Sequence, residues 1–149
     1  MKTIKIKILD RSIQVPKYAH AGDAGLDLYS SINCELRPFE RKKIPTGIKI
    51  SIPQGYAGFI QPRSGLAAKN GISIVNTPGL IDSGYRGEVC AILINLDPKN
   101  VFKVKKGDKI CQLVIQKVEK FNLEVTEDLD ETSRGEGGFG STDFNNQKV

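Results

Sequence analysis

The sequence predicts an all-β fold, an antiparallel sandwich or barrel, on three observations. Apolar residues recur with a period of two along most of the chain. Turn signals containing glycine, proline or asparagine break these runs at close spacing, and only one segment reads as a helix.

Taken in order, Ile4-Lys5-Ile6-Lys7-Ile8 alternates cleanly, as a strand with one buried and one solvated face does. Ile48-Lys49-Ile50-Ser51-Ile52 repeats that pattern. Ala91-Ile92-Leu93-Ile94, Val101-Phe102-Lys103-Val104 and Leu113-Val114-Ile115-Gln116-Lys117-Val118 are rich in strand-forming residues. Between them stand Pro16, Asn33, Pro38, Pro45-Thr46-Gly47, Pro53-Gln54-Gly55, Pro78-Gly79, Asp97-Pro98-Lys99-Asn100 and Lys106-Gly107-Asp108, all read as turns. The helix is predicted over Ser64–Gly71, with Ser64 as its N-cap and Asn70-Gly71 as its stop. After Phe121 the chain turns acidic (Glu124 to Glu131) and then glycine-rich, which cannot pack a core. The expected organisation is one β domain over 1–123 and a mobile arm over 124–149.

A chain of 149 residues suits one hydrophobic core. No apolar run reaches eighteen residues, which excludes a membrane-spanning helix. The lysines between the first isoleucines leave no continuous apolar stretch for a signal peptide, so an intracellular, cytoplasmic protein is expected. Cys34, Cys90 and Cys111 are odd in number and widely spaced, which fits neither a zinc site nor a disulfide framework. Cys90 and Cys111 lie in apolar runs and are expected to be small buried hydrophobes. The net charge of +5 suits a polyanionic ligand, but the lysines are spread along strands rather than grouped as a nucleic-acid patch.

Five segments carry chemistry. Ala21-Gly22-Asp23-Ala24-Gly25-Leu26-Asp27-Leu28 places two carboxylates four apart around a glycine turn, suited to water, to a hard cation or to a structural turn alone. Arg63 and the start of a helix at Ser64-Gly65 offer a guanidinium and free backbone N–H groups to phosphate. In Asn76-Thr77-Pro78-Gly79-Leu80-Ile81-Asp82-Ser83-Gly84-Tyr85, Asp82 reads as a general base or as an Asx-turn bonded to Gly84 N–H. Gln112 is a polar residue in an apolar strand, facing solvent, an interface or a site. Finally, Gly135, Gly137 and Gly140 with Arg134, Ser141 and Thr142 form an anion-binding inventory, and Phe139 a stacking surface. The tail also matches a dinucleotide fingerprint formally, but no βαβ unit surrounds it. His20 is the only histidine, which starves a catalytic triad or a histidine metal site. Carboxylates, arginine, hydroxyls and glycines remain, an inventory of magnesium-dependent phosphate chemistry.

The order of these segments resembles the five motifs of trimeric dUTPases. The resemblance rests on Ala-Gly-Leu-Asp at 24–27, Pro-Arg-Ser-Gly-Leu-Ala at 62–67, Gly-Leu-Ile-Asp-Ser-Gly-Tyr-Arg-Gly-Glu at 79–88, Gly-Asp-Lys-Ile-Cys-Gln at 107–112 and Arg-Gly-Glu-Gly-Gly-Phe-Gly-Ser-Thr at 134–142. It implies a jelly-roll-like β-barrel, the dUTPase-like β-clip, and a homotrimer whose active sites draw on all three chains. The implied reaction is hydrolysis of dUTP to dUMP and pyrophosphate, limiting uracil in DNA and supplying dUMP for thymidylate synthesis. By the same resemblance Asp82 activates the attacking water, and Tyr85 packs under the deoxyribose. Asn76 and the hairpin backbone, Gly79 and Ile81 included, read uracil. Arg63, Ser64, Gly65 and Gln112 hold phosphates. Asp27 contacts the water shell of Mg²⁺. The arm closes over another subunit's site with Phe139 on uracil and Arg134, Gly140, Ser141 and Thr142 around the γ-phosphate. Lys109 and Cys111 stand where arginine and alanine are frequent in the family, and Asp143 where glycine is usual.

Three rival readings remain. A dCTP deaminase of the same fold would use a catalytic glutamate, for which Glu88 is the candidate, but would lack this tail. A nucleotide-binding trimer without catalysis would bind dUTP and leave it intact. A basic RNA- or DNA-binding barrel would show salt-dependent oligonucleotide affinity, against which stands the sparse aromatic content.

Overall fold

The lysine–isoleucine alternation at the start of the chain becomes strand β1 (Lys5–Ile8), which lays its isoleucines inward beside β4 (Arg41–Ser51). The structure is a computed structural model that describes residues 3–138. The remaining strands are β2 (Gly25–Tyr29), β3 (Cys34–Leu36), β5 (Tyr56–Gln61), β6 (Ile72–Ile74), β7 (Gly79–Ile81), β8 (Glu88–Asn95), β9 (Phe102–Val104) and β10 (Lys109–Lys117). The single helix, α1, spans Ser64–Asn70. No helix among the described residues is long and apolar enough to cross a membrane.

Every strand pairing is antiparallel. One sheet has the order β1-β4-β8-β6, a second β2-β10-β5-β7, and β3 with β9 forms a two-stranded ribbon. This is the expected jelly-roll-like arrangement, with the strands parted into sheets rather than closed into one hydrogen-bonded barrel. Alternate residues of β8 are buried, so Val89, Ala91 and Leu93 face the interior. They share one apolar cluster with Ile44 and Ile48 of β4 and with Leu28, Ile60, Ile110 and Leu113 of the second sheet. Burying a leucine or isoleucine of this kind contributes about 1.5–3 kcal/mol, so this cluster holds the two sheets together.

Two local expectations are corrected. Pro45-Thr46-Gly47 is not a turn between strands but a bulge within β4. Pro45 pairs with Cys90 and Lys49 with Glu88, so Thr46, Gly47 and Ile48 together face Val89. Such an excess normally leaves ladder groups unpaired. Here the Thr46 hydroxyl donates to Val89 O (2.6 Å) and Gly47 N–H donates to the Glu88 carboxylate (2.9 Å). Gly47 carries the required positive φ of 71°. The second correction concerns α1. Ser64 is its first helical residue, while Arg63 occupies the N-cap position without any side-chain capping bond. The Arg63 side chain is drawn instead to Asp27 and to Lys109 O. Gly71 ends the helix as expected, in the left-handed conformation and bonded to Ala67 O.

The chain divides into two units, Met1–Glu119 and Lys120–Val149. The described part of the second, 120–138, contains neither helix nor strand, and Phe121, Leu123, Val125 and Leu129 are exposed. Its hydrogen bonds are local, from the Thr126 hydroxyl to Asp128 O (2.9 Å) and in a turn at 132–137. There Gly135 N–H donates to Thr132 O (3.1 Å), and Arg134 Nε donates to Gly137 O (2.8 Å).

Candidate active site

Between β6 and β8 the chain passes from an edge of the first sheet to an edge of the second and back, because β7 pairs with β5. That crossing opens a cavity of about 510 Å³. The first sheet contributes Pro45, Ile74, Glu88 and Cys90 to its wall, the second Ile60, Gly79 and Ile81. The loops on either side of β7 bring Asn76, Asp82 and Tyr85 to the same space. Five residues singled out in the sequence, Asn76, Gly79, Ile81, Asp82 and Tyr85, thus line one cavity.

The two readings of Asp82 are separated by its hydrogen bonds. Tyr85 N–H donates to the main-chain oxygen of Asp82 (3.0 Å), which makes the turn without the Asp82 side chain. Among the described residues no group hydrogen-bonds the Asp82 carboxylate or the Asn76 amide, and both are exposed at the cavity. An unpaired carboxylate and an unpaired amide at a half-apolar cavity are free for a proton and for a base edge. Gly79 lies between Asn76 and β5. A Cβ there would stand 3.4 Å from both Asn76 Nδ2 and Ile60 Cβ, and its absence keeps the amide close to the strand backbone.

Tyr85 is fixed rather than free. Its hydroxyl donates to Glu88 O (3.0 Å), and Arg86 closes the turn by donating to Ser83 O and Tyr85 O (2.7 Å each). Sequence reasoning missed Gly87, where any Cβ would collide with the Tyr85 phenol, 2.5 Å from Cζ. The ring lies where residue 87 would place a side chain, a signal no local pattern carries. Cys90 is only half-buried and lines the cavity, so the expectation of a fully buried thiol holds for Cys111 and not for Cys90. Burial raises the pKa of Cys90, with the Glu88 charge adding to it, and pushes that of Cys111 up to about 12.

The other singled-out residues gather elsewhere. Asp27 on β2 and Gln112 on β10 are cross-strand partners. With Arg63, Gly25 and Asp23 they line a separate cavity of about 300 Å³ that shares no residue with the first. Gly25 makes room for Gln112, because a Cβ at 25 would lie 2.7 Å from its Oε1. The Asp27 carboxylate holds Arg63 Nε (3.3 Å) and Lys109 Nζ (2.8 Å), and Arg63 also donates to Lys109 O (3.2 Å). The hydrogen bond from Lys109 to Asp27, and then the charge itself, raises the pKa of Lys109. Ser64 and Gly65 are exposed at the start of α1, and no atom lies within 4 Å of where a Gly65 Cβ would be.

Among the described residues no three His, Cys, Asp or Glu side chains gather as a metal cage. The Asp27 carboxylate already bears two ion pairs, so it would meet a hard cation through that cation's water rather than as a direct ligand. Arg134 lies in the second unit, its Nε bonded within its own turn. Phe139, Gly140, Ser141 and Thr142 lie outside the described residues.

The family model for dUTPase matches residues 11–143. A deoxyuridine 5'-triphosphate nucleotidohydrolase of Corynebacterium glutamicum is 51% identical over 142 residues, covering 95% of each chain. The Mycolicibacterium vanbaalenii protein of the same name is 50% identical over 145 residues, covering 94% of each. Among solved structures, the Staphylococcus bacteriophage 80alpha dUTPase with dUPNHPP superposes with a TM-score of 0.88 at 30% identity, covering 97% of this chain and all of that one. A mutant dUTPase of S. aureus phage phi11, whose structure concerns coordination of a structural Mg(II) ion, gives 0.79 at 28% identity, covering 85% and 98%. With the family's match spanning most of the chain and half-identical relatives aligned nearly end to end, this chain belongs to the dUTPase family.

Proposed function

We propose that this chain hydrolyses dUTP to dUMP and pyrophosphate, and that it does so as a homotrimer. The observation that carries the reading is the joint placement of Asn76, Gly79, Ile81, Asp82 and Tyr85 in one cavity, with the Asp82 carboxylate unpaired among the described residues. Uracil enters against the Asn76 amide and the backbone of Gly79 to Ile81. Cytosine, with donor and acceptor exchanged, would leave buried polar groups unpaired there. Tyr85 packs under the sugar, where a ribose hydroxyl would meet its ring.

Asp82 accepts a proton as the oxygen of a water molecule forms its bond to the α-phosphorus. The bond from that phosphorus to the α,β-bridging oxygen breaks, and pyrophosphate leaves. Arg63, Gln112 and the N–H groups at Ser64 and Gly65 hold the phosphate chain, and Asp27 faces the cation's water shell. When bound with the nucleotide, Mg²⁺ supplies charge neutralisation on the phosphates. The arm closes over a neighbouring subunit's site, with Phe139 on the base and Arg134, Gly140, Ser141 and Thr142 at the γ-phosphate, excluding bulk water. A homotrimer fits the separation of the two cavities within one chain: the base-and-sugar cavity of one subunit would meet the phosphate cavity of another.

Glu88 offers little to the deaminase alternative, since its carboxylate is occupied by Gly47 N–H. The test is pyrophosphate release with Mg²⁺ from dUTP, dCTP, dTTP and UTP in parallel. Release from dUTP alone is expected. Ammonia from dCTP, or tight binding of dUTP without turnover, would move the function to a rival.

A further inference from the structure

We propose that Glu88 is a positioning residue for sugar discrimination, holding Tyr85 in place through the bulge of β4. The proposal rests on the reading of Tyr85 as the sugar check. Tyr85 is anchored at its hydroxyl by a single main-chain acceptor, the carbonyl of Glu88 (3.0 Å). That carbonyl belongs to the first residue of β8, where the strand meets the loop. Glu88 is paired with Lys49 and its carbonyl also accepts from Cys90 Sγ (3.6 Å), a long, weak bond at a strand end where the ladder can fray. In this chain the Glu88 side chain reaches across to β4 and accepts from Gly47 N–H (2.9 Å), the donor that the bulge removes from the ladder.

Gly47 is itself immobilised. Its carbonyl accepts from Leu9 N–H (2.8 Å), and a neighbouring bond runs from the Thr46 hydroxyl to Val89 O (2.6 Å). The path from the buried bulge to the exposed phenol is therefore Gly47, Glu88 carboxylate, Glu88 carbonyl, Tyr85 hydroxyl, with Gly87 leaving the space in which the ring lies. The bulge satisfies its orphan donor with the one side chain whose own backbone holds the ring. Glu88 takes no part in the chemistry in this scheme. It sets where the tyrosine stands.

The experiment compares kcat/KM for dUTP and UTP in wild type, Glu88→Ala, Glu88→Gln, Tyr85→Phe and the double variant Glu88→Ala/Tyr85→Phe, with a thermal midpoint for each. Glu88→Ala is expected to lower the dUTP:UTP ratio roughly three- to ten-fold, the worth of one hydrogen bond, chiefly through KM. Glu88→Gln keeps an acceptor for Gly47 N–H and is expected to keep the ratio. Tyr85→Phe is expected to lose as much discrimination as Glu88→Ala, and the double variant no more than either alone. An unchanged ratio in folded Glu88→Ala, or additive losses, would overturn the proposal. If Glu88→Ala does not fold, Tyr85→Phe decides: wild-type discrimination in that variant would overturn it. Should the wild-type protein itself fail to prefer dUTP over UTP, the failure lies with the function proposed above and not with Glu88.

Discussion

The two cavities that hold the singled-out residues are built by opposite means. The one between β6 and β8 is shaped by hydrogen bonds to backbone carbonyls: Tyr85 to Glu88 O, Arg86 to Ser83 O and Tyr85 O, Tyr85 N–H to Asp82 O. Its chemical groups, Asp82 and Asn76, are left unpaired among the described residues. The one between β2 and β10 is organised by charge, and its charges are spent on one another: Asp27 with Arg63 and Lys109. The first is ready for a ligand as it stands. The second must exchange internal ion pairs for contacts with an anion. Under the proposed function, shape selectivity would fall to the first cavity and anion binding to the one whose partners can be replaced.

The largest effect is expected where the rigid cavity presents its free carboxylate. Asp82→Asn is isosteric and removes only the proton acceptor, so turnover of dUTP should fall roughly 10²- to 10⁴-fold. Binding of a non-hydrolysable imido analogue, measured by calorimetry, should change little. A variant that kept wild-type turnover would remove Asp82 from the mechanism. Gly87→Ala comes next. Its methyl group would occupy the space of the Tyr85 phenol, so the ring must move and dUTP should bind more weakly while the fold persists. An unaltered KM for dUTP would show that the ring's present position is not the functional one.

The charged cavity responds in the other direction. Asp27→Asn removes the anion that holds Arg63 and Lys109, and both cations become available. Without Mg²⁺, the variant should bind inorganic triphosphate more tightly than wild type, most clearly at low ionic strength where charges are least screened. With Mg²⁺, dUTP turnover should fall. Weaker triphosphate binding in the variant would mean that the Asp27 pairs do not hold the cations back.

The contrast also explains what the sequence made legible. Alternation revealed β1 and the second half of β4, because strands with one buried face write their period directly, and runs of strand-forming residues revealed β8, β9 and β10. Neither signal marked β3, β6 and β7, each three residues long and without the run of strand-forming residues that marked the equally short β9. Pro45-Thr46-Gly47 misled because the groups that make a bulge tolerable there, Glu88 and the Val89 carbonyl, lie more than forty positions away. Ser64 looked like a helix cap because it resembles one locally, whereas the pull of Asp27 on Arg63 is a long-range fact. Asp82, Asn76 and Tyr85 were each ambiguous alone; the order of motifs grouped them, and the crossing of the chain to β7 in the second sheet brings them to one cavity. Gly87 and the Gly47–Glu88 bond were invisible, since each depends on where another residue's atoms finish.

The smallest effect concerns a glycine that no packing among the described residues requires. Gly65 sits in the first turn of α1, and a Cβ there would meet no described atom within 4 Å beyond its chain neighbours and its own helix backbone. Glycine in a helix costs up to about 1 kcal/mol relative to alanine, so Gly65→Ala should stabilise the free protein slightly. A rise of a few degrees or less in the thermal midpoint is expected. Such an unused stabilisation points to an occupant absent from the lone chain, and a phosphate chain approaching the backbone N–H groups is the one this position would meet. Gly65→Ala should therefore raise KM for dUTP while raising the midpoint. A gain in stability with KM unchanged would leave the glycine without a role at the phosphates, and would place Arg63 and Gln112 alone in that task.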